Sequence, residues 1–166
     1  IRERTRPVAA KDYWTANQFR RWLVEKVFHG VLIERLKVTP QNNPLRDLLS
    51  VVDAGDSLLL FPEGTRTKTE AEWLNPFQKA VGLVAKHAHV PVFPVFIRCN
   101  SRFYEKDWPL YRKAPKFPIQ LSFEVGEPIF FQADDNVQTF TQRLEQRYLT
   151  ELTNPHPLRR TPKQTS

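Results

Sequence analysis

The residues best suited to chemistry lie in one run, Phe61-Pro62-Glu63-Gly64-Thr65-Arg66, behind an apolar stretch, Ser57-Leu58-Leu59-Leu60. Glu63 brings a carboxylate that can orient a neighbouring cation or accept a hydrogen bond from a substrate hydroxyl. Gly64 permits a sharp turn and close backbone approach. Thr65 adds a hydroxyl, and Arg66 a planar fork of donors that matches a phosphate bidentately. Pro62 lacks an N–H and stops the strand ladder just before the turn. A buried strand ending here would deliver carboxylate, glycine turn and arginine to one point. The same residues could otherwise make a tight turn with a surface ion pair.

Other reactive side chains are few. The single cysteine, Cys99, excludes an intrachain disulfide framework and suits a reducing setting. It ends an expected buried strand and reads as a small core residue rather than a nucleophile. No Cys/His cluster has the spacing of a zinc site. His87 and His89 fall at an expected helix end, where an imidazolium offsets the helix dipole; neither is assigned to catalysis.

The elements that must position the run alternate along the chain. Arg6-Pro7-Val8-Ala9-Ala10 begins a strand. A helix capped by Thr15 or Asn17 is expected to reach His29, with Phe19, Trp22, Leu23, Lys26 and Val27 on one side and Arg20, Arg21 and Glu25 on the other. It reads as a half-buried helix with a solvated face, although its arginines and tryptophans would also suit a membrane surface. Gly30 breaks it, and Val31-Leu32-Ile33 reads as a short strand leading to Glu34-Arg35. Asn43-Pro44 is a cap followed by a first-turn proline, Leu45, Leu48, Leu49 and Val52 form the stripe, and Gly55 ends the helix. A strand over 57–61 and a helix over 76–89 follow, the latter with Phe77, Val81, Val84 and Ala88 on one face. The strand over 90–97 carries Pro91 and Pro94 and should be irregular or edge-like. After an aromatic and basic connection over 100–117, Ile119, Leu121, Phe123 and Val125 alternate with polar residues, the pattern of a strand buried on one face. Asn136 caps a last helix bearing Val137, Phe140, Leu144, Tyr148 and Leu152. The expected class is α/β, a mostly parallel central sheet flanked by helices, in one domain over 1–153 with a basic tail over 154–166. In such sheets sites form where strands end, so Glu34-Arg35 and the turn over 63–66 are expected to share a crevice.

Composition narrows the partners. With 25 Lys+Arg against 18 Asp+Glu the 166-residue chain carries a net charge of +7, which attracts anions: nucleic acid, anionic lipid or phosphorylated small molecules. Trp14, Trp22, Tyr104, Trp108 and Tyr111 could stack on bases, but they are scattered and no recognition motif accompanies them, so no nucleic acid is expected. No apolar stretch reaches the roughly 18 residues of a spanning helix, and no signal peptide is visible. There is no methionine, and the opening Ile1-Arg2-Glu3-Arg4 reads like the interior of a longer or processed chain.

The run over 61–66 resembles the third signature block of the glycerol-phosphate and lysophosphatidate acyltransferase family. Gly30-Val31-Leu32-Ile33-Glu34-Arg35 loosely resembles the second block, whose arginine helps to hold the acceptor phosphate. Pro76-Phe77-Gln78-Lys79 is similar to the segment after the third block, with Ala80 where a glycine is common. Val90-Pro91-Val92-Phe93-Pro94-Val95 resembles the fourth block, and Gly126-Glu127-Pro128-Ile129 a later strand-to-turn segment. The resemblance thus covers about 6–129.

It implies an O-acyltransferase that moves a fatty acyl group from acyl-CoA or acyl-carrier protein to a glycerol-phosphate or lysophosphatidate-type acceptor, with no metal or redox cofactor. The substrate-binding residues would be Arg35, Glu63, Gly64, Thr65 and Arg66, and the setting the cytoplasmic face of a membrane, with peripheral contact to anionic lipid and any anchor outside this chain. The family's first block, His-x-x-x-x-Asp, supplies a general base and its orienting carboxylate. This chain contains no such pair. The nearest, His29 with Glu34, overlaps the second block and is not assigned to it. Two expectations follow: either the dyad lies upstream and this chain alone is inactive, or the protein is a noncatalytic relative that binds anionic lipid or phosphoesters.

Overall fold

The computed structural model describes residues 2–34, 39, 42–64, 74–99 and 120–154. Arg35, Thr65, Arg66, the 100–117 connection and the tail beyond Asn154 lie outside the described residues. The chain gathers into two compact units, Ile1–Pro62 with Ala80–Val90, and Glu63–Lys79 with Pro91–Ser166.

The first unit is built on a parallel three-stranded sheet, order β2-β1-β3, from β1 (Thr5–Ala10), β2 (Val31–Ile33) and β3 (Ser57–Leu59). Parallel neighbours require crossovers, and here the crossovers are helical. β1 pairs with β3 through Thr5, Arg6 and Pro7, then with β2 through Val8, Ala9 and Ala10. Pro7 therefore stands where pairing passes from one neighbour to the other, and its missing N–H interrupts little. The expected α/β class with a parallel sheet and flanking helices is what the chain forms.

The first crossover departs from expectation. In place of one helix it contains α1 (Lys11–Trp14), α2 (Gln18–Trp22) and a π-helical turn over Leu23–Val27. Asn17, not Thr15, is the cap, accepting from the Arg20 N–H at 2.8 Å. Phe28 N–H reaches Leu23 C=O at 3.1 Å, the five-residue step of a π-turn. That extra residue moves the buried stripe. Val24 is buried at 1% exposure, whereas Phe19 and Trp22, expected on the buried side, are 68% and 53% exposed. Val24 is selected because the chain passes close at Gly30: a Cβ there would lie 2.7 Å from Val24 Cγ2 and 3.1 Å from the Pro7 carbonyl.

α3 (Pro44–Asp53) follows its sequence signals, with Asn43 accepting from Leu45 N–H and Leu48 buried. Gly55 ends it at φ +79°. The turn is tied to the sheet by Arg4, which donates to the Gly55 carbonyl at 2.7 Å, and by Arg6, which meets Asp56 at 2.7 Å. β3 stops at Leu59 and is only half-buried, and Phe61 is exposed; the expected buried strand over 57–61 is corrected. β3 is an edge of its sheet, so its far side lacks cover among the described residues. α4 (Ala80–Ala88) buries Val81, Gly82, Val84 and Ala85 and packs on α3. It starts at Ala80 rather than at 76; residues 74–78 are neither helix nor strand.

The second unit pairs β4 (Val95–Cys99) with β5 (Leu121–Val125) in antiparallel register and covers one face with α5 (Val137–Thr153). Pro91 and Pro94 precede β4, and Val92 makes a lone bridge to Ile129, consistent with the expected irregularity. Asn136 caps α5 in a full capping box with Thr139. Phe140 and Leu144 are its buried anchors, and the Phe131 ring lies 5.2 Å from that of Phe140. On the covered face of the strands Arg98 is buried between Glu124 and Glu151. The apolar alternation of β5 falls on the other face: Leu121, Phe123 and Val125 are exposed, as is Ile97 opposite Phe123. The expectation that this stripe is buried is overturned. α5 takes the side on which Phe96 and Arg98 find ring and carboxylate partners.

Candidate substrate-binding site

Of the candidate turn after β3, the structure describes Pro62, Glu63 and Gly64. Gly64 takes φ +66°, the left-handed region that glycine enters without penalty. A Cβ there would come within 3.2 Å of Gln78 Cγ, so the turn lies against the later 75–78 segment.

The carboxylate is held from the same segment. Asn75 donates twice to Glu63 Oε2, from its backbone N–H at 2.8 Å and its side-chain Nδ2 at 2.9 Å. Both bonds are part-buried, and hydrogen bonds to a charged acceptor are the stronger kind. They set the orientation of Glu63 before any ligand arrives. Asn75 is a residue of the candidate site that sequence reasoning passed over as the end of a polar loop. Its signal was chemical: an amide with two donors beside Pro76, twelve residues beyond a carboxylate.

The 75–78 segment is anchored to α5. Phe77 is buried, its N–H donates to Glu145 at 3.1 Å, and its ring meets Tyr148 edge-on at 5.3 Å. Tyr148 also packs on Phe96 at 4.8 Å, and its hydroxyl accepts from Val95 N–H at 3.1 Å. Burial pushes the Tyr148 phenol up, against the opposing Val95 hydrogen bond, so it stays a neutral packing and hydrogen-bonding group. Glu145, a polar residue between Leu144 and Tyr148, was not singled out from the sequence.

Of the expected substrate-binding residues, the structure brings Glu63 and Gly64 together on one turn. Arg35, Thr65 and Arg66, and hence the expected shared crevice, lie outside the described residues. Glu34 closes the described part of the segment after β2. His29 is exposed at φ +51° in the turn that ends the π-helical segment, and His89 takes φ +53° after α4. Both occupy chain-reversal positions. Among the described residues no helix is long and apolar enough to cross a membrane.

The sequence profile of the Acyltransferase family matches residues 2–98, more than half of the chain. The chain belongs to the acyltransferase family. The match takes in β1 to β3, β4 as far as Arg98, Arg35 and the whole turn over 61–66, and ends before β5 and α5, so the segment over 126–129 falls beyond it. No curated protein and no solved structure matches the chain. Within the acyltransferase domain, then, the turn with a clamped carboxylate is the best-formed candidate site among the described residues.

Proposed function

We propose that this acyltransferase chain holds the phosphorylated acceptor of an O-acyl transfer in phospholipid synthesis, with a thioester of coenzyme A or acyl-carrier protein as donor and no metal or redox cofactor. The supporting observation is the Glu63 carboxylate, fixed by two donors of Asn75 on a glycine turn inside the family match. Arg66, three residues further on, and Arg35, beyond β2, are the cations assigned to the phosphate. Thr65 adds a hydroxyl to that grip. Glu63 accepts from an acceptor hydroxyl and orients the nearby guanidinium.

The reaction itself is a substitution at a carbonyl. A base takes the proton of the glycerol hydroxyl, its oxygen bonds to the thioester carbonyl carbon, and the carbon–sulfur bond breaks to release a thiol that regains the proton. No residue of this chain is assigned as that base. Acceptor binding and orientation are the work of the turn.

The test is transfer of acyl groups from acyl-CoA to glycerol 3-phosphate and to lysophosphatidate by the natural full-length protein, beside Glu63→Ala and Arg66→Ala. Loss of turnover in both variants supports the assignment; undiminished activity removes it. A second reading is a noncatalytic binder of anionic lipids or phosphoesters. Acceptor binding without turnover in the full-length protein would select it.

A further inference from the structure

The first crossover leaves an aromatic surface that is exposed among the described residues. Tyr13, Phe19, Trp22 and Phe28 are 54%, 68%, 53% and 46% exposed, although Phe19 and Trp22 were expected on the buried side of their helix. They are not loose. Phe19 and Trp22 stack at 6.1 Å with an interplanar angle of 26°, and Trp14 meets Tyr13 and Phe28 edge-on at 5.7 and 6.1 Å. Cations are interleaved with them. Lys11, Arg21 and Lys26 are exposed, and the Arg20 guanidinium lies over the Tyr13 ring at 4.5 Å. Over residues 11–28 four basic side chains face two acidic ones, Asp12 and Glu25, and Glu25 is paired with Arg21 at 2.8 Å.

We propose that this surface seats the protein on an anionic lipid bilayer. Tryptophan and tyrosine favour the headgroup level, where the ring is in an apolar layer and its polar edge stays wet. Exposed phenylalanines reach into the acyl boundary, and lysine and arginine beside them are drawn to anionic headgroups. A nucleic-acid strand fits less well: Phe19 and Trp22 turn ring faces to each other, and Arg20 covers Tyr13, where stacked bases need open faces. Beside this surface the π-helical turn places Val24 in the core, while Phe19 and Trp22 on the preceding α2 stay exposed. Choosing lipid as the partner rests on the acyltransferase reading; the surface itself contains none of the residues assigned to the acceptor.

The experiment is cosedimentation of the natural full-length protein with vesicles of phosphatidylcholine alone or with about 30 mol% phosphatidylglycerol, without donor or acceptor. Binding is expected to the anionic vesicles and to weaken at about 0.5 M salt. Phe19→Ser with Trp22→Ser should lower the partition coefficient at least tenfold with an unchanged circular dichroism spectrum, given the apolar area each ring withdraws from water. Should that variant fail to fold, the decision passes to Trp22 fluorescence in a protein carrying Trp14→Phe, Trp73→Phe and Trp108→Phe: brominated lipid should quench it. Absent vesicle binding, binding that survives the double substitution, or a bound protein whose Trp22 stays unquenched overturns the proposal. So does self-association abolished by the same substitutions without vesicle binding, which would make the occupant a second copy. Acyl transfer to a water-soluble short-chain acceptor, measured in parallel, separates failure of this surface from failure of the site.

Discussion

At the scale of single residues the account turns on Glu63, Asn75 and the two arginines. Asn75→Ala removes the side-chain amide donor and leaves the Glu63 carboxylate with only the backbone N–H of residue 75 from that segment. A destabilisation of about 1–3 kcal/mol is expected by urea titration, together with at least a tenfold fall in acyl transfer. Asn75→Asp should be worse, because it sets a second carboxylate against the first. Arg66→Ala and Arg35→Ala should each raise KM for a phosphorylated acceptor about tenfold to a hundredfold, the value of a charge-assisted hydrogen bond, with the donor KM unchanged. The candidate turn was legible in the sequence because proline, carboxylate, glycine and arginine each carry a local chemical meaning. Asn75 was not, because its role depends on a contact twelve residues away that no local pattern encodes.

At the scale of elements, what could be read was what is decided locally. Asn43-Pro44, Gly55 and Asn136 mark helix ends through their own backbones and side chains, and α3 and α5 form where they say. Phe140→Ala should cost about 3–5 kcal/mol, since the ring is fully buried against α5's neighbours, and Asn136→Ala about 1 kcal/mol through the lost cap. Both are measured by urea unfolding. What could not be read was which face wins when packing decides. The stripe over 19–27 moved by a π-turn set by the close approach at Gly30. The alternation of β5 could not show on which side α5 would lie. The tie between β1 and the turn before β3 gives a pH dependence. The hydrogen bond from Arg6, with its charge and that of Arg4, holds the Asp56 carboxyl below its ordinary value despite some desolvation. The unfolded chain therefore binds this proton first. The pair's contribution is present above the ordinary carboxylate range and is lost as pH falls through it towards the folded value. Asp56→Asn should lower the urea midpoint at pH ~7 and leave a smaller further fall on the way to pH ~3 than wild type shows.

At the scale of the whole molecule, the net charge of +7 takes on a direction once the first crossover is seen to gather exposed aromatics and cations on one stretch. The α/β class and the family were legible from alternating elements and one dense motif. The exposed aromatic surface was open between two readings, because a helical stripe of aromatics looks the same whether it enters a core or a bilayer. The central claim is that the turn over 61–66 grips the acceptor's phosphate, and one comparison tests it most directly. Acyl transfer by the natural full-length protein is measured to a phosphorylated acceptor and to its dephosphorylated counterpart, each with wild type and with Arg66→Ala. The expected result is a strong wild-type preference for the phosphorylated acceptor that collapses in the variant. An equal loss on both acceptors, or a preference that Arg66→Ala leaves intact, would contradict it.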